Sequence, residues 1–195
     1  MNKKNHGFTL IELVVTLAIF GIVLATALPS LDSFTASNRR SANINIFVSS
    51  LNLARSEAVK RNTAISICTS NDTVACNNAL SWEDGWLVFV DFDGDGVVDA
   101  GDGDEILRVF NKIFNRSTPS KDVTLVDLEG PALKKLTFQS NGSVDNIATF
   151  MRCADLGSAA KTDAQARAVI VSSTGRVRLS KGNKARDNST ALNCP

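Results

Sequence analysis

The chain has 195 residues, 44% hydrophobic and 21% charged, which fits one folded domain with an appendage and excludes a typical disordered chain. Twenty-one Lys and Arg against 20 Asp and Glu leave a net charge of +1, so any electrostatic role depends on where the charges sit. A single histidine, His6, and the absence of tyrosine exclude most Ser-His-Asp, Cys-His and multi-histidine metal chemistry. No Ser or Lys nucleophile has a motif around it, so the chain reads as a non-enzyme.

The charges are segregated. Between Arg61 and Arg108 there is no Lys or Arg, whereas Asp72, Glu83, Asp84, Asp91, Asp93, Asp95, Asp99, Asp102, Asp104 and Glu105 all fall there. The last 35 residues carry Lys161, Arg167, Arg176, Arg178, Lys181, Lys184 and Arg186 against Asp163 and Asp187, a net of +5. Such a dipole describes either two solvated faces or a tail that meets a polyanion.

Phe8 to Leu28 is an apolar run of 21 residues interrupted by one charge, Glu12. As a helix it is about 30 Å long, the thickness of a bilayer core. Lys3 and Lys4 precede it, and positive flanks stay cytoplasmic, so the rest of the chain is expected outside the inner membrane. Ala25-Thr26-Ala27 also fits a signal-peptidase site, but the run is longer than an ordinary signal core. A carboxylate inside it is expensive unless it has a partner and a purpose.

The stretch Gly7-Phe8-Thr9-Leu10-Ile11-Glu12, after a short basic leader, resembles the class III signal of type IV prepilins and type II secretion pseudopilins. The resemblance implies cleavage by a prepilin peptidase between Gly7 and Phe8 and N-methylation of Phe8. Residues 1–7 are then a leader, and Glu12 becomes the fifth residue of the mature chain. Its carboxylate can pair with the cationic terminus of a neighbouring subunit and set the axial register of a filament, and losing either partner leaves a buried unpaired charge. Residues 8–28 thus serve first as membrane anchor and then as packing stalk.

Pro29 is expected to interrupt the helix pattern and kink it, with Ser30 or Asp32 restarting it. Ile44, Phe47, Leu51, Ala54 and Ala58 recur at helical spacing, which predicts an amphipathic helix within 29–62 ending near Arg61, with Asn62 as its stop. Residues 63–195 then read as an antiparallel β domain with a basic tail. Strands are predicted at Ala64–Cys68, Gly85–Asp91, Glu105–Phe114 and Leu136–Gln139, and across Arg167–Leu179. The second and third pair across the acidic loop. Ser140–Ser143 is expected to turn the fourth into a hairpin with Val144 and beyond, and Ser173-Thr174-Gly175 to bend the last one. The fold class is α+β, a long N-terminal helix packed on an antiparallel sheet, the architecture of pilins.

Four cysteines in an oxidising space allow three disulfide connectivities. The expected pair is Cys68–Cys76, a short loop closure, with Cys153–Cys194 tying the basic tail to the domain. A metal site lacks both CxxC pairs and histidines.

Asp91-Phe92-Asp93-Gly94-Asp95-Gly96-Val97-Val98-Asp99-Ala100-Gly101-Asp102 matches the first half of a calcium loop, with acids at positions 1, 3, 5 and 9 and Gly at 6. Position 12 is Asp102 where the strongest loops have a bidentate Glu, and the flanks read as strands. A structural calcium on Asp91, Asp93, Asp95, Asp99 and Asp102 is one reading, and a Gly/Asp-rich hairpin turn is the other. No other cofactor is expected.

Gly175-Arg176-Val177-Arg178 places two arginines on one face of a strand, and arginine forks suit phosphate. Lys181, Lys184 and Arg186 follow in a segment without apolar periodicity. Sequence-independent DNA binding is one reading, and protective charge on a sheet edge the other. The ensemble of prepilin signal, long helix, Gly-Trp strand, Asp/Gly hairpin and C-terminal Gly-Arg-x-Arg resembles the FimT/GspH family of minor pilins and pseudopilins, closest to FimT-like minor pilins. In FimT-type members the last motif is implicated in binding DNA for natural transformation, and it falls here on Gly175, Arg176 and Arg178. The resemblance implies a single-pass inner-membrane subunit with a periplasmic domain, later built with other pilins into a surface pilus. The alternative is a purely structural minor pilin or a GspH-like secretion pseudopilin without DNA binding.

Overall fold

The computed structural model describes residues 9–99, 101–111, 125–127, 133–152 and 167–181, with the backbone alone for 25–37, 39, 40, 125–127, 151, 152 and 181. The chain divides into two units, Met1–Ala42 and Asn43–Pro195. Helix α1 (Leu10–Arg61) supplies the described part of the first and the opening element of the second.

In the first unit the helix starts on a capping box. The Thr9 amide and hydroxyl each donate to Glu12 Oε2 at 3.0 Å, and the Glu12 amide donates back to Thr9 Oγ1 at 3.3 Å. The carboxylate of Glu12 is therefore held by its own chain. The apolar side chains from Leu10 to Leu24 are exposed. The interruption expected at Pro29 is not seen: α1 stays helical through it, because proline forfeits one i→i−4 bond while the flanking turns keep theirs. Among the described residues no helix is long and apolar enough to cross a membrane.

In the second unit the helical spacing read from the sequence buries its stripe. Ile44, Phe47, Leu51, Ala54 and Ala58 are all sequestered. The helix ends where Asn62 adopts φ 53°, and the Thr63 amide returns to the Ala58 carbonyl at 3.3 Å, the closure that a left-handed residue allows.

Among the described residues eight strands follow: β1 (Ile65–Thr69), β2 (Gly85–Val90), β3 (Glu105–Asn111), β4 (Leu125–Asp127), β5 (Lys135–Phe138), β6 (Ala148–Arg152), β7 (Arg167–Val171) and β8 (Val177–Lys181). They form two antiparallel sheets instead of one, in the orders β3-β2-β1-β5 and β4-β6-β7-β8. Alternation places Ile65, Ile67, Trp86, Val88, Leu136 and Phe138 of the first sheet and Ala148, Phe150, Val169 and Val171 of the second in one core with the helix stripe. Phe47 lies edge-on to Trp82, Trp86 and Phe150 with ring centroids 5.5, 5.1 and 4.9 Å away. Truncating such a side chain to alanine costs about 3–5 kcal/mol.

The hairpin expected from β5 into Val144 shrinks to one bridge, Phe138↔Val144. Asp145 then takes over the β5 edge, accepting from the Thr137 amide at 3.1 Å and donating its own amide to the Thr137 carbonyl at 3.2 Å. The Val144 amide donates to the Ser173 carbonyl at 3.1 Å, so the chain leaves the first sheet and joins the second. Residues Ala148 and Phe150 pack on the helix there, in β6.

The opposite face of the first sheet carries a smaller core of Cys68, Leu87 and Phe89, with Cys76, Val98, Ile106 and Val109 against it. Two loops cover that face. One is closed by the Cys68–Cys76 disulfide, with Cα atoms 5.6 Å apart, as expected from the sequence. The other is the acidic loop between β2 and β3.

Candidate nucleic-acid interface

Among the described residues β8 is the edge strand of the second sheet and pairs with β7 alone. Arg176 immediately precedes it and Arg178 lies opposite Ile170 within it. Both arginines are exposed, and Val177 between them packs against the core. Strand alternation therefore puts the two guanidinium groups on one side, with the Cα atoms about 6.6 Å apart along the strand. Among the described residues, no hydrogen bond or ion pair engages either guanidinium. Position 181 is the last residue of β8. Its backbone lies opposite Arg167, itself opposite Arg152, so three basic positions share one row across three strands. Lys184 and Arg186 lie outside the described residues, as do Gly7, Phe8, Cys153 and Cys194.

The turn that launches Arg176 is built by contacts that the sequence did not announce. Gly175 adopts φ +70° and is buried. Its amide donates to the Ser172 carbonyl at 2.7 Å, and the Ser172 amide donates to the Arg176 carbonyl at 3.1 Å. Arg55 of α1 reaches this turn and its neighbour together: Nε donates to the Gly142 carbonyl at 3.2 Å and Nη2 to the Thr174 carbonyl at 3.1 Å. Arg55 lies between the buried helix positions Ala54 and Ala58 in sequence, where periodicity shows only a polar-face residue; no local signal predicts its two partners.

The acidic loop brings part of the calcium set together. Ligand atoms of Asp91, Asp93 and Asp95 lie within 4.8 Å of one another, and that group does not include Asp99 or Asp102. The carboxylates also serve the loop itself. Buried Asp91 accepts from Ser66 Oγ at 2.5 Å and from the amides of Gly94 at 2.9 Å and Gly96 at 3.0 Å. Asp93 accepts from the Asp95 amide at 3.2 Å, and Asp95 from the Val97 amide at 2.7 Å. Burial pushes Asp91 above the ordinary aspartate range despite these donors. Partial desolvation, then repulsion from Asp95, Asp102, Asp104 and Asp93, pushes Asp99 up as well. Lys135 donates to the Asp95 carbonyl and ties the loop to β5. Three clustered carboxylates suit a hard cation, and one seated there meets Asp91, Asp93 and Asp95 first.

Residues 43–175 match the family described as type II transport protein GspH, well over half of the chain. The chain belongs to that family. Residues 2–28 match the prokaryotic N-terminal methylation motif, which covers the Gly7–Phe8 junction and Glu12. As a GspH-family member with this motif, it is a minor pilin or pseudopilin. The type IV minor pilin FimU of Pseudomonas aeruginosa superposes with a TM-score of 0.55 at 26% identity, covering 81% of this chain and 96% of that one. The type IV major pilin protein PilA of Myxococcus xanthus is 48% identical over 40 residues, 20% of this chain. The fimbrial protein of Neisseria meningitidis is 36% identical over 78 residues, 37% of this chain. These matches span only 18% and 46% of the two relatives' own lengths.

Proposed function

We propose that this chain is a minor pilin of a type IV pilus that grips extracellular DNA by its phosphates for uptake in natural transformation. The observation that carries the reading is the pair Arg176 and Arg178, exposed on one side of an edge strand with no acidic partner among the described residues. Arginine forks can each hold a phosphate by two parallel hydrogen bonds. No aromatic residue interleaves them, so contact is with the backbone and carries little sequence preference. The net +5 of the last 35 residues, including Lys181, Lys184 and Arg186, adds long-range attraction.

In this reading prepilin peptidase cuts after Gly7, Phe8 is methylated, and residues 8–28 hold the subunit in the inner membrane until assembly. Glu12 then exchanges its intrachain contacts with Thr9 for the terminus of a neighbouring pilin.

The test is DNA binding by the chain from Ser30 onward across a salt series. Affinity is expected to fall steeply with salt, and Arg176→Gln with Arg178→Gln to reduce the logarithmic salt slope by about 1.8 on duplex DNA. Unchanged binding in the double variant removes these arginines from the site. The match to the type II transport protein GspH supports a second reading, a secretion pseudopilin. That reading expects no DNA affinity at moderate salt and co-purification with other pseudopilins.

A further inference from the structure

We infer that Arg55 is the positioning residue for the Arg176–Arg178 pair, an inference that rests on the DNA-binding reading above. Among the described residues β8 has a strand neighbour on one side only, so its register against β7 does not by itself fix where its first residues stand. Arg55 supplies the second constraint. It is half-buried on a helix whose neighbouring positions are locked in the core, so its guanidinium is a fixed donor. It engages the carbonyls of Gly142 and Thr174, which come from two turns, one following β5 of the first sheet and one joining β7 to β8 in the second. The Val144 amide donates to the Ser173 carbonyl at 3.1 Å and joins the same two turns by backbone. The Thr174 carbonyl is two residues from Arg176, whose own carbonyl is held by the Ser172 amide.

A lysine at this position has a single ammonium and cannot reproduce the fork. An apolar residue leaves both carbonyls to water and the turn free to reorient. Arg55 touches no DNA in this scheme; it lowers the entropy lost when the two exposed guanidinium groups are immobilised on phosphates.

The experiment uses the full chain in detergent micelles, a fluorescent duplex oligonucleotide titrated over a salt series, and amide exchange across residues 172–178. Arg55→Met is expected to weaken DNA binding about tenfold, equal to about 1.4 kcal/mol, with faster exchange at Gly175 and Val177. Arg55→Lys is expected to fall between it and the parent. Adding Arg55→Met to the Arg176→Gln, Arg178→Gln variant is expected to cost nothing further, because a positioning effect needs the groups it positions. Parent-like affinity and exchange in Arg55→Met overturn the inference, as does a loss that multiplies fully with that of the double variant. If Arg55→Met does not fold, Arg55→Lys decides by the same readouts. If the parent chain binds no DNA, the functional reading falls, and unchanged exchange in the Arg55 variants then overturns the positioning role on its own.

Discussion

The α-carbon of Gly175 faces the carbonyl oxygen of Gly142 so closely that a β-carbon built on Gly175 falls 1.9 Å from that oxygen. The glycine of the Gly-Arg-x-Arg string therefore has a packing reason to be glycine, separate from any contact with DNA. Gly175→Ala must both accept a positive φ, which costs about 1–3 kcal/mol, and push two turns apart. Chemical denaturation is expected to show a loss of at least that size. A variant as stable as the parent means the two turns are not seated as described.

The Cys68–Cys76 bridge closes a loop with a sequence separation of 8, and Cys76 and Cys68 share the smaller core with Leu87 and Phe89. Constraining so short a loop is worth about 2.5 kcal/mol by chain entropy. Replacing both cysteines with alanine is expected to lower stability by about that amount, read by urea titration of the non-reduced proteins. A much smaller loss assigns the loop's order to its internal hydrogen bonds.

Asp72 caps that loop. It accepts from the Ala75 amide at 2.9 Å, the Val74 amide at 3.1 Å and Ser70 Oγ at 3.1 Å. These donors, Ala75 first, hold its carboxyl below the ordinary aspartate range. A depressed folded-state value means the folded chain binds fewer protons there than the unfolded chain. The stability it contributes is complete above the unfolded aspartate value of about 3.9 and is lost as pH falls through the folded value. The stability advantage of the parent over Asp72→Asn is expected to shrink on acidification. An advantage that grows in acid contradicts the capping role.

Asp91, Asp93 and Asp95 bring ligand atoms within 4.8 Å of one another, while Lys135 holds the backbone of the same loop. Extracellular calcium sites work at about 0.1–1 mM. Millimolar calcium is expected to raise the thermal midpoint of the parent and to leave Asp93→Asn with Asp95→Asn unmoved. A parent midpoint indifferent to calcium leaves these carboxylates with their turn amides alone.

Much of this architecture was legible in the residue order. The stripe Ile44, Phe47, Leu51, Ala54 and Ala58 is periodic because one helix face must leave water, and all five are buried. Asn62 stops that helix because it tolerates a left-handed backbone. The apolar run Gly85–Val90 fills a strand covered on both faces, and the Cys68–Cys76 pair follows from proximity along the chain. These are local properties, decided within a few residues.

What the chain order left open is where elements from distant parts meet. Nothing near Ser140–Ser143 shows that the next strand abandons the first sheet, because that choice depends on Ser173, thirty residues on, accepting the Val144 amide. The division into two sheets follows from it. Arg55 has no periodic or motif signal either, since its meaning lies in two carbonyls 87 and 119 residues away. Sequence alone determined the helix stripe and the presence of paired arginines. Tertiary structure decided the platform beneath those arginines, because a hydrogen bond between remote segments exists only once packing has brought its donor and acceptor together.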